Sequence, residues 1–233
     1  MQNNYEIMDN KIYYHFLSAK NAINDLEKSR IKVSTIDILN DPFEFMPYRR
    51  YGFKERQPYN QVFRGISKKW GVLCFSQIWT EQLLWAHYAD KHKGAVLGFE
   101  IPSERILKVK YTSNKIRTKF NLTDNQDENE KKFLDLATEK YNEWEYEKEF
   151  RILIKLCDCV SDNELYFLPF GEILKIKEII LGCRFNNKNE REEIVKHAKR
   201  LNSKIIQTRP GWEDYMIHEC GTKTNQLLQM LNK

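Results

Sequence analysis

Glycine and proline are scarce in this 233-residue chain, at 9 and 6, which excludes collagenous, linker-rich and low-complexity architectures. No apolar run approaches the ~20 residues of a membrane-spanning helix. The stretch 1–11 is polar and has no hydrophobic signal core, so a cytoplasmic protein without a membrane partner is expected. Cysteine is sparse and scattered, with five residues (Cys74, Cys157, Cys159, Cys183, Cys220). The one close pair, Cys157 and Cys159, is separated by a single residue where zinc and redox motifs usually have two. Nor is one sign of charge missing: 38 basic against 33 acidic residues leave +5 and a pI of about 8.8, below the ~9 that marks a dedicated nucleic-acid binder. What is plentiful is aromatic: 13 Phe, 12 Tyr and 5 Trp, in a chain that is 41% hydrophobic and 30% charged. A globular protein of this length buries roughly 70% of its unfolded surface, and one domain over residues 1–233 is expected.

Hydrophobic period divides the chain into strands and short helices. Residues 11–16 (KIYYHF) read as a strand. Ser18 then stands at an N-cap position before Ala19, Ala22, Ile23 and Leu26 on one helical face, and 31–34 returns as a strand. Asn40-Asp41-Pro42 is turn chemistry. The period then fails over 46–57, which reads as a surface loop made basic by Arg49, Arg50, Lys54 and Arg56. A helix over 59–69 leads into a strand at 71–76. A helix over 81–90 capped by Thr80 follows, then a strand at 94–101 whose glycines leave room for a backbone or a ligand. After a strand near 106–111, residues 112–146 read as a polar surface excursion, helical only over 124–139. Alternation over 147–155 places Glu147, Glu149, Arg151 and Leu153 on one strand face and Phe150, Ile152 and Ile154 on the other. Strands at 164–168 and 178–181, a helix capped by Asn189 with Glu192 three residues on, and a strand at 204–208 complete the order; the final twenty residues are amphipathic. Strands with segregated short helices, lacking regular strand-helix alternation, make the expected fold class α+β.

Few side chains carry chemistry. Two carboxylates two residues apart on a strand, Glu147 and Glu149, lie within roughly 7 Å and raise each other's cost of ionising unless a cation such as Arg151 intervenes. The plain reading is a strand-edge ion pair; the functional one is a catalytic carboxylate. His15, between Tyr14 and Phe16, either satisfies a backbone partner or binds a ligand. His87 and Tyr88 follow Trp85 on a helix, where such a stripe is core packing or a ligand platform. Asp41 and Glu44 flank Phe43 in the turn, with Asp41 capping it and Phe43 anchoring it, or with the segment serving as a substrate loop.

In their order these segments resemble the motifs of the ADP-ribosyltransferase superfamily. Tyr14-His15-Phe16, followed by Ser18-Ala19-Lys20-Asn21 and a helix, resembles the first, a strand-borne histidine. The strand ending at Ser76, the helix presenting His87-Tyr88-Ala89 and the glycine-led strand after it resemble the second. Lys148-Glu149-Phe150-Arg151-Ile152-Leu153-Ile154 is similar to the third, a glutamate opening a late strand. The order fits the His-Tyr-Glu branch. Glu147 also matches the paired-glutamate motif of another branch, one that usually has arginine where His15 stands. Most of the chain further resembles the family called domain of unknown function 2971, through Asn40-Asp41-Pro42-Phe43-Glu44, Cys74-Phe75-Ser76, Trp85-Ala86-His87-Tyr88-Ala89-Asp90 with His92-Lys93-Gly94, Tyr146-Glu147 to Arg151, and Glu178-Ile179-Ile180-Leu181-Gly182.

The transferase resemblance implies a split mixed and antiparallel sheet with short flanking helices, and NAD as substrate. His15 would hydrogen-bond the adenosine ribose, Tyr88 would stack on the nicotinamide with Ser76 in the same pocket, and Glu149 would bind the 2′-hydroxyl of the nicotinamide ribose. No metal is required. As nicotinamide leaves, positive charge grows on the ribose and a fixed carboxylate stabilises it, while an aromatic face holds the flat cationic ring. The leading expectation is an ADP-ribosyltransferase or NAD glycohydrolase with a nucleic-acid or protein acceptor and room for a regulatory partner protein. By analogy it would be a bacterial toxin or phage-defence effector. A second reading is a catalytically silent module that senses a nucleotide or nucleic acid, its basic loop giving steep salt dependence. A metal-dependent nuclease using Asp41, Glu44, Glu147 and Glu149 ranks last, for want of a close acidic-ligand signature.

Overall fold

The structure, a computed structural model, describes residues 11–39, 41, 43–45, 61, 63–114 and 125–231. The basic loop expected at 46–57, Asn40 and Pro42 of the turn, and residues 115–124 of the polar stretch lie outside the described residues. In chain order the strands are β1 (Lys11–Leu17), β2 (Arg30–Thr35), β3 (Trp70–Ser76), β4 (Ala95–Ile101), β5 (Leu107–Lys108), β6 (Lys110–Thr112), β7 (Glu139–Tyr141), β8 (Glu149–Lys155), β9 (Val160–Asp162), β10 (Leu165–Pro169), β11 (Lys175–Leu181), β12 (Lys204–Pro210) and β13 (Ile217–Glu219). The helices are α1 (Ala19–Lys28), α2 (Gln82–Tyr88), α3 (Gln126–Ala137), α4 (Lys188–Arg200) and α5 (Gly221–Leu231). The chain divides into two compact units, the first from Met1–Ser29, Phe75–Ile106 and Phe170–Lys233 and the second from Arg30–Cys74 and Leu107–Pro169.

In the first unit β4 lies between β1 and β11, antiparallel to both, with Leu17 opposite Ala95 and Ile179 opposite Leu97. Being buried on both faces, it reads as a continuous apolar run. β12 runs parallel to β11, which α4 allows as the crossover, and β13 returns antiparallel to β12. Trp85, Ala89, Val96, Ile180, Ile206 and Ile217 form a core cluster with Tyr14, Phe16, Trp79 and Cys183 packed against it. Ser18 caps α1 as its chemistry predicts: its backbone is extended and its hydroxyl accepts from the Asn21 amide at 3.3 Å.

Two other caps differ from expectation. Glu81, not Thr80, caps α2 by accepting from the Leu83 amide at 3.2 Å, while the Thr80 carbonyl accepts from the Ile217 amide at 2.8 Å. Asn187, not Asn189, caps α4, its side chain taking the amides of Asn189 and Glu190 at 3.1 and 3.3 Å. α2 also stops two residues early, because Asp90, Lys91 and His92 all take the left-handed conformation, with φ of 44°, 54° and 70°. The space at Gly94 and Gly98 is filled by protein: a Cβ on Gly94 would stand 2.0 Å from the Leu17 carbonyl oxygen, and one on Gly98 3.1 Å from Glu178, Ile12 and Tyr14. The unassigned tail forms β13 and α5, the latter burying Thr224 and Leu227.

In the second unit β2 pairs antiparallel with β3 and β10, and β9 with β10. The β9–β10 hairpin turns through Asn163 and Glu164, both at positive φ as a two-residue hairpin requires. β8 pairs with β5 and β3, and β6 pairs in parallel with β7. Residues 63–67 are helical, inside the helix expected at 59–69. The stretch 112–146, polar in composition, supplies interior groups: Phe133 and Ala137 of α3 join Ile36, Phe45 and Ile66 in one cluster, with the Phe45 and Phe133 rings stacked at 5.4 Å. β8 begins at Glu149 rather than at 147. A 3₁₀ turn, Asn142–Glu147, closes on Lys148 at φ 45°, so Glu147 projects from that turn and shares no strand face with Glu149.

Both units set helices beside strands, and the fold is α+β. Among the described residues no helix is long and apolar enough to cross a membrane.

Candidate functional site

The second unit gathers five charged side chains out of water. Glu149, at the start of β8, is 4% exposed and Arg151, two residues on along the same face, is 0% exposed. The Arg151 guanidinium grips Glu149 with two bonds, Nε to Oε1 at 2.7 Å and Nη2 to Oε2 at 3.0 Å. It also donates from Nη2 to Glu44 Oε2 at 2.7 Å and from Nη1 to the Ala137 carbonyl at 2.9 Å. β7 brings in Lys140, whose Nζ lies 2.5 Å from Glu147, 3.0 Å from Glu149 and 3.2 Å from Glu44. Two cations thus hold three carboxylates. The Glu149 amide donates to the Tyr111 hydroxyl at 2.7 Å, and β3 places the Cys74 thiol against the Glu149 carboxylate.

The electrostatics follow from burial and from these pairs. Burial alone would raise the Glu149 pKa, but Arg151 first and Lys140 second outweigh it and hold the carboxyl down at about 2. Burial works to neutralise Lys140 as well; Glu149, Glu44 and Glu147 together reverse this and raise its pKa. Arg151 is raised for the same reason, chiefly by Glu149. Burial, then the Glu149 charge, push the Cys74 thiol well up, so it stays protonated. Burial likewise lifts Tyr111 to about 12.

Against this cluster opens a cavity of about 540 Å³, inside the usual range for small-molecule sites. Phe43, Phe45, Tyr141 and Trp144 give it aromatic walls, and Asp41, Glu44, Glu139 and Lys140 give it charge. Lys140 Nζ stands 5.1 Å from the Trp144 ring centroid. Aromatic faces among carboxylates suit a flat, neutral or cationic ring. Among the described residues the one cation in that lining, Lys140, is already shared by three carboxylates.

Of the residues singled out from sequence, Asp41, Glu44, Glu147, Glu149 and Arg151 all belong to the second unit. Asp41 accepts from the Phe43 amide at 2.8 Å, the turn cap its type predicts, and its carbonyl accepts from the Glu44 amide at 3.1 Å. The anchor of that turn is Phe45, 3% exposed and at φ 55°, whereas Phe43 is 64% exposed. His15, Ser76, His87 and Tyr88 belong to the first unit. There the His15 ring lies 5.6 Å from that of Phe75, and Ser76 is in register with Tyr14 and accepts from the Ile78 amide at 3.1 Å. Tyr88 ends α2 half-buried, its ring 6.0 Å from that of the exposed His87.

Lys140, Trp144, Cys74 and Tyr111 are the site residues that sequence reasoning missed. The available signal was electrical: three carboxylates cannot be buried around one arginine, so a second buried cation was required. No protein-family model matches the chain, and no curated protein or solved structure matches it either.

Proposed function

We propose that this chain consumes NAD, as an ADP-ribosyltransferase or NAD glycohydrolase, with Glu149 as the carboxylate that meets the charge developing on the ribose. The observation that carries the reading is Glu149 itself, 4% exposed, ionised down to about pH 2 and linked through Lys140 and Glu44 to an aromatic, acidic cavity. A fixed negative charge in a water-poor wall stabilises an oxocarbenium-like state more than the same charge in water. In the complex, the ribose hydroxyl would displace Lys140 from one Glu149 oxygen. The transferase-like architecture, kinship with domain of unknown function 2971, a nucleic-acid or protein acceptor and a cytoplasmic toxin or defence role all belong to this proposal.

A second reading is favoured by a specific observation: both Glu149 oxygens are occupied by Arg151 and Lys140. A carboxylate so engaged suits a silent module that binds a nucleotide without cleaving it. The deciding experiment incubates the purified chain with NAD, with and without cell extract, and follows free nicotinamide and labelled ADP-ribose. Glu149→Gln, checked for folding by circular dichroism, runs beside it. Nicotinamide release that Glu149→Gln abolishes supports turnover. Saturable NAD binding without release supports the module, and neither release nor binding refutes the NAD reading and with it the His15, Tyr88 and Glu149 alignment. His15→Ala and Tyr88→Ala in the same assay test the two first-unit residues that the resemblance gives to NAD; an unchanged KM for both removes them from the site.

A further inference from the structure

The turn between β12 and β13, in the first unit, holds its aromatic side chains outward. Trp212 is 87% exposed and Tyr215 86%, the highest values among the large hydrophobic residues described. Exposure of this kind is unfavourable for apolar surface, and here it does not come from a slack loop. The Gly211 amide donates to the Met216 carbonyl at 2.8 Å, and the Asp214 carboxylate accepts from the Met216 amide at 3.0 Å. The same carboxylate meets His218 Nε2 at 2.9 and 3.0 Å. Asp214 Oδ1 fills the place of a Cβ on Gly211, 2.0 Å from where that atom would stand, so only glycine closes the turn.

Beside the turn lies a cleft of about 480 Å³ whose lining includes Gln82, His92, Cys183 and Arg184. Its surroundings favour an anion. Lys91 and Lys93, both exposed, flank His92 on the left-handed turn, Arg184 lines the cleft, and the Arg209 guanidinium stands 5.9 Å from the Trp212 ring centroid. Against these four cations stand Glu213 and Asp214 of the turn, Asp90 beside Lys91, and Glu81, which is bridged to Met216; of these, the Asp214 carboxylate is already met by the turn and by His218, and that of Glu81 by the Leu83 amide. Rigid, outward-facing rings with guanidinium groups beside them combine the two contacts that single-stranded nucleic acids offer: an aromatic face on every base and a phosphate at every step.

We propose that this turn and cleft bind single-stranded nucleic acid, with bases stacking on Trp212 and Tyr215 and backbone phosphates meeting Arg184 and Arg209. The inference stands apart from the NAD reading, since it uses neither Glu149 nor His15, Ser76 or Tyr88, and its test contains no NAD.

The test is fluorescence anisotropy of the full chain with short, labelled, mixed-sequence single strands of DNA and RNA, and with the corresponding duplex as control. Trp212→Ala/Tyr215→Ala removes only exposed side chains, so the fold persists, and it should weaken binding tenfold or more, since stacking contributes about 1–3 kcal/mol per base. Arg184→Glu/Arg209→Glu should weaken binding and flatten the dependence of log K on log salt by about 0.7 for each lost phosphate contact. Binding of the duplex as tight as of the single strand, or single-strand binding unchanged in the aromatic variant, would reduce the site to bulk charge and overturn the proposal. Absence of single-strand binding would overturn it too.

Discussion

Replacing Lys140 with Met removes the ammonium that touches Glu44, Glu147 and Glu149 at 3.2, 2.5 and 3.0 Å. In the native cluster two cations face three carboxylates; in the variant Arg151 faces all three alone. Breaking a buried pair by deleting one partner costs about 3–5 kcal/mol, because the surviving charge stays desolvated. Lys140 is 6% exposed and Glu147 4%, so solvent relieves little of this. The methionine keeps the packing volume, which isolates the electrostatic part. Urea unfolding, followed in parallel by tryptophan fluorescence and circular dichroism, should show the midpoint falling by about 1 M or more, given a slope of about 3 kcal/mol per molar for a chain of this size.

The decisive comparison is Lys140→Met with Glu147→Gln added. That pair leaves one cation against two carboxylates and restores the native excess of a single negative charge. The double variant should therefore be more stable than the sum of the two single losses predicts, by about 1–3 kcal/mol. Additive losses, or a cost below about 1 kcal/mol for Lys140→Met alone, would show that the cluster is wetter and weaker than its geometry implies, and the electrostatic argument for Glu149 would fall with it.

Acid should weaken the fold in a defined window. A carboxyl whose folded pKa is depressed contributes stability that is present above its ordinary pKa and lost as pH falls toward the folded value. For Glu149 that window runs from 4.5 down to about 2 and amounts to about 3 kcal/mol at 1.36 kcal/mol per unit. The Tm of the wild type should fall more steeply with acid than that of Glu149→Gln, and parallel curves would refute the assignment. Gly94→Ala and Gly65→Ala should have opposite signs. A Cβ at 94 meets the Leu17 carbonyl oxygen at 2.0 Å, whereas one at 65, in the helical segment, meets nothing within 4 Å. A loss of about 2–3 kcal/mol is expected in the first and a gain of about 0.5–1 in the second, read from thermal melts. Lys91→Gly should raise the Tm slightly, because Lys91 holds φ 54° at a cost of about 1–2 kcal/mol that glycine escapes; a lower Tm would mean that the lysine side chain braces the turn.

What was legible in the sequence is what local physics decides. β4 was legible as a strand, and α1 because Ser18 stands at an N-cap position ahead of Ala19, Ala22, Ile23 and Leu26 on one helical face. The cap of α4 was off by two residues, between two asparagines of equal capping chemistry, and that of α2 by one, for a tertiary reason. Thr80 is as good a cap as Glu81 by chemistry, yet its carbonyl is held by Ile217, far along the chain. The stretch 112–146 misled through its charged and polar composition: Phe133, Leu136 and Ala137, all buried, fall close together near the end of α3, and that is enough to seat the helix in a core. Glu149 and Arg151 were legible as a pair at i, i+2. Lys140 was not, because its place depends on β6 and β7 pairing in parallel, which no local pattern encodes.

Lys140 also changes what Glu149 can do. A carboxylate gripped by Arg151 and Lys140 is largely neutralised, so the field it offers a cationic ribose depends on the whole cluster, whose formal charge is one negative unit in excess. Glu147 supplies that excess from behind Lys140, which lines the cavity while Glu147 itself does not. A unit charge at 4 Å exerts about 4 kcal/mol at an effective dielectric of 20. Removing Glu147 from the far side of Lys140 should forfeit a fraction of this, of the order of 1.4 kcal/mol or about tenfold in rate. Glu147→Gln should then slow nicotinamide release with Glu149 intact and the NAD KM little changed, and a binding module would be indifferent to it. Unaltered turnover in Glu147→Gln would mean that Glu149 acts free of its cluster, with Lys140 and Arg151 drawn off it in the complex.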